Sequence, residues 1–515
     1  LSSRYRIQFS YNNREIPLQQ PIVLNLQKTT MPAVLDEICR QSNLTWKEVA
    51  GQVLLKSIKT GKKPAPNKLK GTIKGRIIDK DSKLPLIGVG VRLVSVTPEQ
   101  GTITDEEGDF MLTNVPLGRH EIFATYLGFE PLSIPQIMVG SSKDVALQME
   151  MLSSLKDLQT VTISAGVDRT APLNEMSMTS ARSFTMEETS RYAASNFDPA
   201  RMAQNFAGVT INDDVSNDIV VRGNSPKGVQ WRLEGIEINN PNHFGEEGSS
   251  GGGISMISSN MLANSDFFTG AFPAEYGNAL SGVFDLRFRK GNTERQEHTF
   301  MIGALGTEVS TEGPFNQKHR SSYLINYRYS TLAILESFGL QPAGDNPTPK
   351  YQDLAFHLNF PSKDNTSTLS LFGIMGYAHQ NGVADKDSTT WDGFDDKFNR
   401  KNSYVSASTG IKYLKSLNSN AYLKNIVSFS FSDIRDRTDT LNRDYVANVY
   451  GRDKFRNAAL RYSGLLNYKS SPSTTLRAGM NASLLNFDLR SLTYKNSLGR
   501  LSEFINSSGT SGMLD

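Results

Sequence analysis

From His298 onward the chain repeats a pattern that few folds can satisfy: apolar and polar residues alternate, stretch after stretch. Leu354, Phe356, Leu358 and Phe360 fall on one side of a strand, with Asp353, His357 and Asn359 opposite. Val427, Phe429 and Phe431 face away from Ser428, Ser430 and Ser432, and Leu476, Ala478, Met480, Ala482 and Leu484 oppose Arg477, Asn481 and Ser483. Successive side chains of a strand point to opposite faces, so each segment has one greasy and one wet side. Lipid outside and water inside a membrane β-barrel require that arrangement. Connection lengths add an independent signal. Short links fall near 313–320, 361–367, 416–420 and 469–474, and long ones near 336–350, 378–402, 433–455 and 490–512. They alternate strictly, which places every long link at one end, and a soluble β-sandwich has no reason to do that. Eight strands are counted by residue 490.

Bulk composition agrees. No run of about 18 apolar residues exists, so a transmembrane helix is excluded, while barrel strands escape such a scan. A net charge of +3 from 55 basic and 52 acidic residues offers no global field for nucleic acid. Cys39 stands alone, without a disulfide partner or a nearby histidine. His120, His243, His298, His319, His357 and His379 are scattered, with no HExxH, and no GxSxG occurs. No enzyme, cofactor or metal centre is expected. The chain opens on Leu1 without a signal peptide, which reads as a processed or trimmed start.

The stretch from Ile219 to Gly291 carries the most specific motifs: Val221-Arg222-Gly223-Asn224, Leu233-Glu234-Gly235-Ile236, Gly270 with Pro273, Tyr276-Gly277, and Gly282-Val283-Phe284-Asp285-Leu286. It resembles the plug domain of TonB-dependent outer-membrane transporters, with Glu234 where that family usually has Asp and Thr269 where a basic residue is usual. The plug is assigned 171–292, with a helical stretch at 186–206 that sets Met202, Ala203 and Phe206 on one side. Strands are expected at Ile219–Val221, Gln230–Leu233, Phe267–Phe268 and Val283–Phe288. Arg222, Arg232 and Glu234 lie in or beside apolar strands and should pair with each other or with the barrel wall, because an unpaired buried charge is costly. The loop Gly245–Gly253 lacks the ending of a phosphate-binding loop and reads as a mobile loop at the plug apex.

A plugged barrel has about 22 strands, so the resemblance implies that the 293–515 segment is the first part of a larger barrel, cut inside an extracellular loop. Roughly 14 strands would be absent, and the part present should form an open, curved sheet. The fold class is therefore mainly β with small α/β parts: a β-sandwich, an α/β plug and part of a 22-stranded transmembrane β-barrel.

Residues 71–152 hold short strands at Thr72–Ile78, Gly90–Val96, Asp109–Leu112 and Glu121–Tyr126, separated by turn residues, as in a small β-sandwich. They are similar to the carboxypeptidase regulatory-like domain that precedes many Bacteroidota-type receptors. The acidic cluster 105–109 lacks EF-hand spacing and reads as a hairpin turn. Residues 1–57, with a strand at Pro21–Leu26, a helix capped by Thr30 and a strand at Val53–Lys56, resemble the second half of the short domain shared by secretins and signalling TonB receptors, its first βα unit lacking. Between these two domains, Pro64 and Pro66 stiffen a lysine-rich linker, 58–70.

Segment 153–170 sits where the family keeps its TonB box, and Leu158, Gln159, Thr160, Val161, Thr162 and Ile163 are the β-prone core that could add to a partner's sheet edge. The resemblance implies transport of a scarce ligand of siderophore, glycan or peptide class across the outer membrane, powered by TonB with ExbB and ExbD. Placement of the N-terminal domains in the periplasm, signalling to an anti-sigma regulator and a lipoprotein partner are further expectations. The alternative is a sensor that signals without import. In the long link 378–402, Asp385, Asp387, Asp392, Asp395 and Asp396 with Trp391 and Phe394 form a candidate ligand loop, since carboxylates could hold a cation and aromatic rings could stack on a sugar.

Overall fold

The computed structural model describes residues 8–10, 22–24, 30–42, 44–49, 52–57, 69–94, 96, 99–141, 143–154, 172–174, 176–177, 179–185, 188–189, 192, 195, 197–212, 214–316, 319–340, 347–385, 387–389, 391, 393, 396–471, 473–495 and 500–514. Leu158, Gln159, Thr160, Val161, Thr162 and Ile163 lie outside the described residues, as do Asp392, Phe394 and Asp395. Two compact bodies form, Leu1–Leu69 and Lys70–Asp515.

In the first body, helix Met31–Ser42 buries Val34, Leu35 and Cys39; its spacing predicts Val34, Leu35 and Ile38 on one face, and Ile38 is half-buried instead. Pro32 sits in the first turn, where its missing N–H costs nothing. The sheet is ordered Gln8–Ser10, Gln52–Ser57, Leu44–Val49. The strand expected at 21–26 is not formed over its described residues 22–24. Gln8–Ser10 pairs parallel to the closing strand instead, too short to show alternation.

The second body begins with a β-sandwich. A three-stranded sheet (Val145–Met151, Lys70–Asp79, Asp109–Pro116) faces a four-stranded one (Gln100–Ile103, Gly90–Leu93, Gly118–Thr125, Leu132–Val139). Their inner faces share a core that includes Ile73, Ile77, Val91, Leu93, Phe110 and Ile122. The 105–109 cluster is a hairpin turn: the Asp105 carboxylate accepts from the Glu107 and Asp109 amides at 3.0 and 2.8 Å.

The plug is built on a five-stranded sheet ordered Ala181–Phe184, Ser265–Phe268, Gly282–Leu286, Val229–Leu233, Ile236–Glu237. All five residues of each of the strands Gly282–Leu286 and Val229–Leu233 are buried, as in a sheet covered on both faces. Among the described residues of 186–206 the only formed helix longer than a turn is Pro199–Ala203, capped by Asp198 with Pro199 in its first turn. Met202, Ala203 and Phe206 do share the core.

Ten antiparallel strands surround the plug: Glu297–Ile302, Gly306–Asn316, His319–Ser330, Lys350–Pro361, Ser367–Gly382, Phe398–Asn418, Ala421–Leu441, Ala447–Ser471, Thr474–Lys495 and Arg500–Leu514. They pair in chain order, and among the described residues the first and tenth each have one neighbour, so the sheet they form is open. The count exceeds eight for two reasons. A tight turn at 303–305 divides the first expected strand, and 500–514, expected inside a loop, is a strand paired with the ninth. The expected long link 433–455 is also mostly strand, leaving 442–446 as the connection.

Outward positions draw the membrane. Outward apolar residues on strands seven, eight and nine occupy 423–431, 458–468 and 476–484, close to the 9–11 residues that a tilted membrane strand needs. Above them the outer face turns ionic: Asp433 pairs with Arg435 and Arg456, and Asp488 with Lys454 and Arg490. The strands run on well past that boundary, the eighth reaching 25 residues.

Candidate functional site

Two of the plug's sequence motifs are turns of a kind that dictates their residues. Arg222 (φ 52°) and Gly223 (φ 78°) form one, closed by the Val221–Asn224 bridge. Glu234 (φ 56°) and Gly235 (φ 95°) form another, closed by the Leu233–Ile236 pair. Two consecutive positive φ values make a two-residue hairpin turn, and glycine bears the second at little cost. A Cβ on Gly235 would also meet Lys424 Nζ at 3.2 Å and Ile426 at 3.3 Å on the wall, so the turn tip is pressed against strand seven.

The charges of these turns behave differently. Glu234 is 6% exposed. Its carboxylate pairs with Lys412 on strand six and accepts from the Phe288 amide at 2.6 Å. Burial pushes its pKa up, but the Lys412 ammonium and the Phe288 N–H override that and hold it at about 2. Arg232 donates to the Gly235 carbonyl at 2.8 Å and lies over the Tyr276 ring. Among the described residues Arg222 forms no ion pair. It is exposed and donates to Ser180 and Thr269 hydroxyls, so Thr269 serves as an anchor for that side chain beside Gly270. Tyr276 is buried, donates to Asp285 at 2.9 Å and receives Asn174. The neighbouring Gly277 carbonyl accepts from Gln230, and Gly282 opens the central strand.

The wall answers the plug with two unlike sides. On strands two and four, Glu308 receives Ser258 and Asn260, Glu312 takes a two-pronged ion pair from Arg289 (2.6 and 2.8 Å), and Asp353 holds His243 at 2.9 Å. Burial lowers the His243 pKa despite Asp353, so this is a hydrogen bond from a neutral ring, and Arg328 of strand three supplies the counter-charge to Asp353. On strands six, eight and nine the wall carries bases instead. Lys412, Arg461 and Arg477 face plug carboxylates Glu234, Glu237 and Glu275. Apolar contact runs between these pairs, with Leu324, Phe372, Ile374 and Ile426 of the wall joining the plug's own core.

At the end away from the sandwich, a cavity of about 480 Å³ lies between the plug top and strands six to nine. The glycine-rich loop lines it and is tied down rather than loose. Ser249 bonds Asp218, Asn240 bonds the Ser249 and Gly251 carbonyls, and Glu247 receives Asn457 of the wall. The Gly251 and Gly252 amides are taken by Ser249 and Asn217, which leaves no phosphate cradle. Leu485, Phe487 and Leu489 line the cavity from the lumen face, a departure from the polar-inside rule. Arg461 lies at its wall, 9% exposed, with Nη2 on Glu237 and a buried Nη1 that has no partner among the described residues. An unused guanidinium N–H beside an apolar surface can take a carboxylate, phosphate or carbonyl oxygen. Sequence reading missed these residues because they come together only where four wall strands and one plug loop, distant in sequence, meet.

The candidate ligand loop is arranged otherwise. Asp387 and Asp396 bond their own loop at Thr389 and Gly393. Trp391 donates to the Asp385 carbonyl and meets the edge of Tyr445 from the next connection. No metal-holding group of His, Cys, Asp or Glu occurs among the described residues.

Comparison with known proteins supplies the domain identities. Residues 174–283 match the TonB-dependent receptor plug domain, and residues 72–152 match the carboxypeptidase regulatory-like domain. No curated protein sequence matches the chain. Solved structures similar to it include the siderophore receptor PirA from Acinetobacter baumannii (14% identity, 60% of this chain and 48% of that one, TM-score 0.40). The outer membrane transporter YddB from Escherichia coli is another (12% identity, 65% and 53%, TM-score 0.43). A third is FpvA of P. aeruginosa bound to heterologous pyoverdines (11% identity, 99% and 58%, TM-score 0.45). The chain spans about half the length of these structures.

Proposed function

We propose that this chain, which carries a TonB-dependent receptor plug, belongs to an outer-membrane importer of a scarce amphiphilic ligand. One observation carries the reading: the plug packs its core against one face of the ten-stranded sheet, whose other face presents an exposed apolar band of membrane height. A globule held in that position closes the lumen, so passage requires it to be remodelled. TonB, energised through ExbB and ExbD, would grip 158–163 from the periplasm, on the side where the sandwich packs. The ligand would enter from the opposite, cell-exterior end and meet the cavity beside Arg461 and Phe487.

The test is energy-dependent uptake, together with binding of the TonB C-terminal domain, in cells carrying the full-length receptor and a deletion of Leu158–Ile163. Loss of both, with surface binding of ligand retained, is expected. Unchanged energised uptake would overturn the assignment of the gripping segment.

A second reading draws on the separate body formed by residues 1–69: a reporter of occupancy to an anti-sigma regulator, with or without import. Removing 1–57 should abolish gene induction and leave uptake intact if both functions coexist. Intact induction would remove the signalling role.

A further inference from the structure

We infer that the space between the underside of the plug, the sandwich and wall strands six and seven is an oxyanion site, which takes a carboxylate or phosphate group of the cargo once it has passed the plug. The inference rests on the importer reading above and narrows its cargo to anionic ligands.

Three cations meet there without acceptors. Arg287 directly follows the plug strand Gly282–Leu286, Lys290 comes shortly after it, and Lys424 stands on strand seven. None of the three side chains makes a hydrogen bond or ion pair among the described residues. All are half-buried, so each keeps contact with solvent inside the folded body. They share neighbours. Lys290 feels the charges of Arg76 and Glu150 of the sandwich, Lys412 of strand six and Glu234 of the plug. Lys424 feels Arg287, Lys412, Glu275 and Asp285, and Arg287 feels Glu150, Asp266 and Asp285.

Wall and sandwich bound this space. Strands six and seven pair Lys412 with Ile426 and Leu414 with Lys424, so Lys412 and Lys424 are diagonal neighbours on the inner face. The Lys424 ammonium lies 3.2 Å from where a Cβ on Gly235 would stand, which holds it at the plug surface. On the sandwich side Lys83 bonds Glu150 at 2.8 Å and lies over the Tyr422 ring of strand seven, 5.3 Å from its centre.

The carboxylates nearby are already engaged. Glu150 holds Lys83, and Glu234 holds Lys412 and accepts from the Phe288 amide. Asp266 accepts from the Leu173 and Asn174 amides, and Glu275 receives the Asn174 side chain. Asp285 receives Tyr276 on one oxygen, and its other oxygen is buried with no hydrogen bond among the described residues. The surplus is therefore of donors. Water can accept from them but brings no counter-charge, and an enclosed cation without one is costly. Burial, with Arg76 and Lys412 close by, pushes the Lys290 pKa down to about 8. An oxyanion supplies acceptors and charge together. The site also lies on the side of the lumen where the exterior cavity ends. Arg461 pairs with Ser428, which stands about 13 Å from Lys424 along strand seven. An anionic group leaving Arg461 would meet Lys424 next.

The experiment is a calorimetric titration of the full-length receptor, in an uncharged maltoside detergent, with inorganic pyrophosphate and with citrate. It needs neither TonB nor a gradient, so its failure and that of the importer reading are distinguishable. Saturable binding is expected, and the tighter of the two probes names the group. Lys290→Met, Lys424→Met and Arg287→Gln should each weaken it by about tenfold, the loss of one charge-assisted hydrogen bond. Lys454→Met, on the outer face, should leave it unchanged. A second measurement needs no variant: the bound probe should slow acetylation of Lys290 and Lys424 several-fold relative to Lys454, read by mass spectrometry at mildly alkaline pH. Absence of binding to either probe, or acetylation that is not slowed, would overturn the inference. So would binding that is lost in Arg461→Gln but kept when Lys290→Met and Lys424→Met are combined, since the exterior cavity would then be the site.

Discussion

Replacing Glu234 by alanine tests how the plug is seated. The carboxylate is buried, pairs with Lys412 and accepts from the Phe288 amide. Its folded pKa of about 2 against an ordinary 4.5 corresponds to about 3 kcal/mol at 1.36 kcal/mol per unit. Breaking a buried pair from one side typically costs about 3–5 kcal/mol, so the two routes agree on about 3. Trp231, 4% exposed and stacked on Phe284 at 4.3 Å, reports plug unfolding by fluorescence once Trp46 and Trp391 are changed to Phe. With a urea slope of about 1.5–2 kcal/mol per molar, the midpoint should fall by about 1.5–2 M. Adding Lys412→Met should restore part of that loss, because no unpaired base is then left behind. The pH dependence has a definite sign. Since the folded pKa is depressed, the contribution is fully present above about 4.5 and is lost as pH falls through about 2. A midpoint shift below about 0.3 M for Glu234→Ala, or a double variant no better than the single one, would refute the seating argument.

Three other substitutions probe the wall and the turn. Leu460→Arg places a charge within the outward band of strand eight and should cost about 2–4 kcal/mol in folding into lipid vesicles, whereas Asn457→Arg, on the inner face, should not slow insertion. Gly235→Ala puts a side chain at φ 95° and against Lys424 and Ile426. It should destabilise the plug by about 1–3 kcal/mol in the Trp231 assay, with the barrel's own unfolding unmoved.

Strand faces were legible because the side-chain period of two fixes inside and outside wherever one side meets lipid. The same logic explains where reading stopped. Above Phe431 the outer face turns ionic, so Asp433, Arg435 and the Gly/Ser-rich 500–514 lose the contrast that marks a strand, and the ladder alone extends them. Residues 186–206 have apolar spacing that suits a helix, yet among the described residues only Pro199–Ala203 completes one, where Asp198 caps it. Arg222 and Glu234 occupy equivalent turns, and nothing local tells which is covered by the wall. The partner of Glu234 lies 178 positions away, and which carboxylate meets Lys412 depends on the assembled sheet. The Arg461 cavity was hidden for the same reason, since its lining comes from four wall strands and one plug loop.

The two unlike sides of the wall have a consequence for assembly. A plug turned so that Arg289 faced strand six would set it against Lys412, and one turned the other way so that Glu234 faced strand two would set it against Glu312; either setting replaces attraction by repulsion. Charge complementarity thus encodes an azimuth. It rejects misoriented entry before the greasy surfaces can touch, and a nascent barrel needs no further guide to accept its globule in one rotational setting.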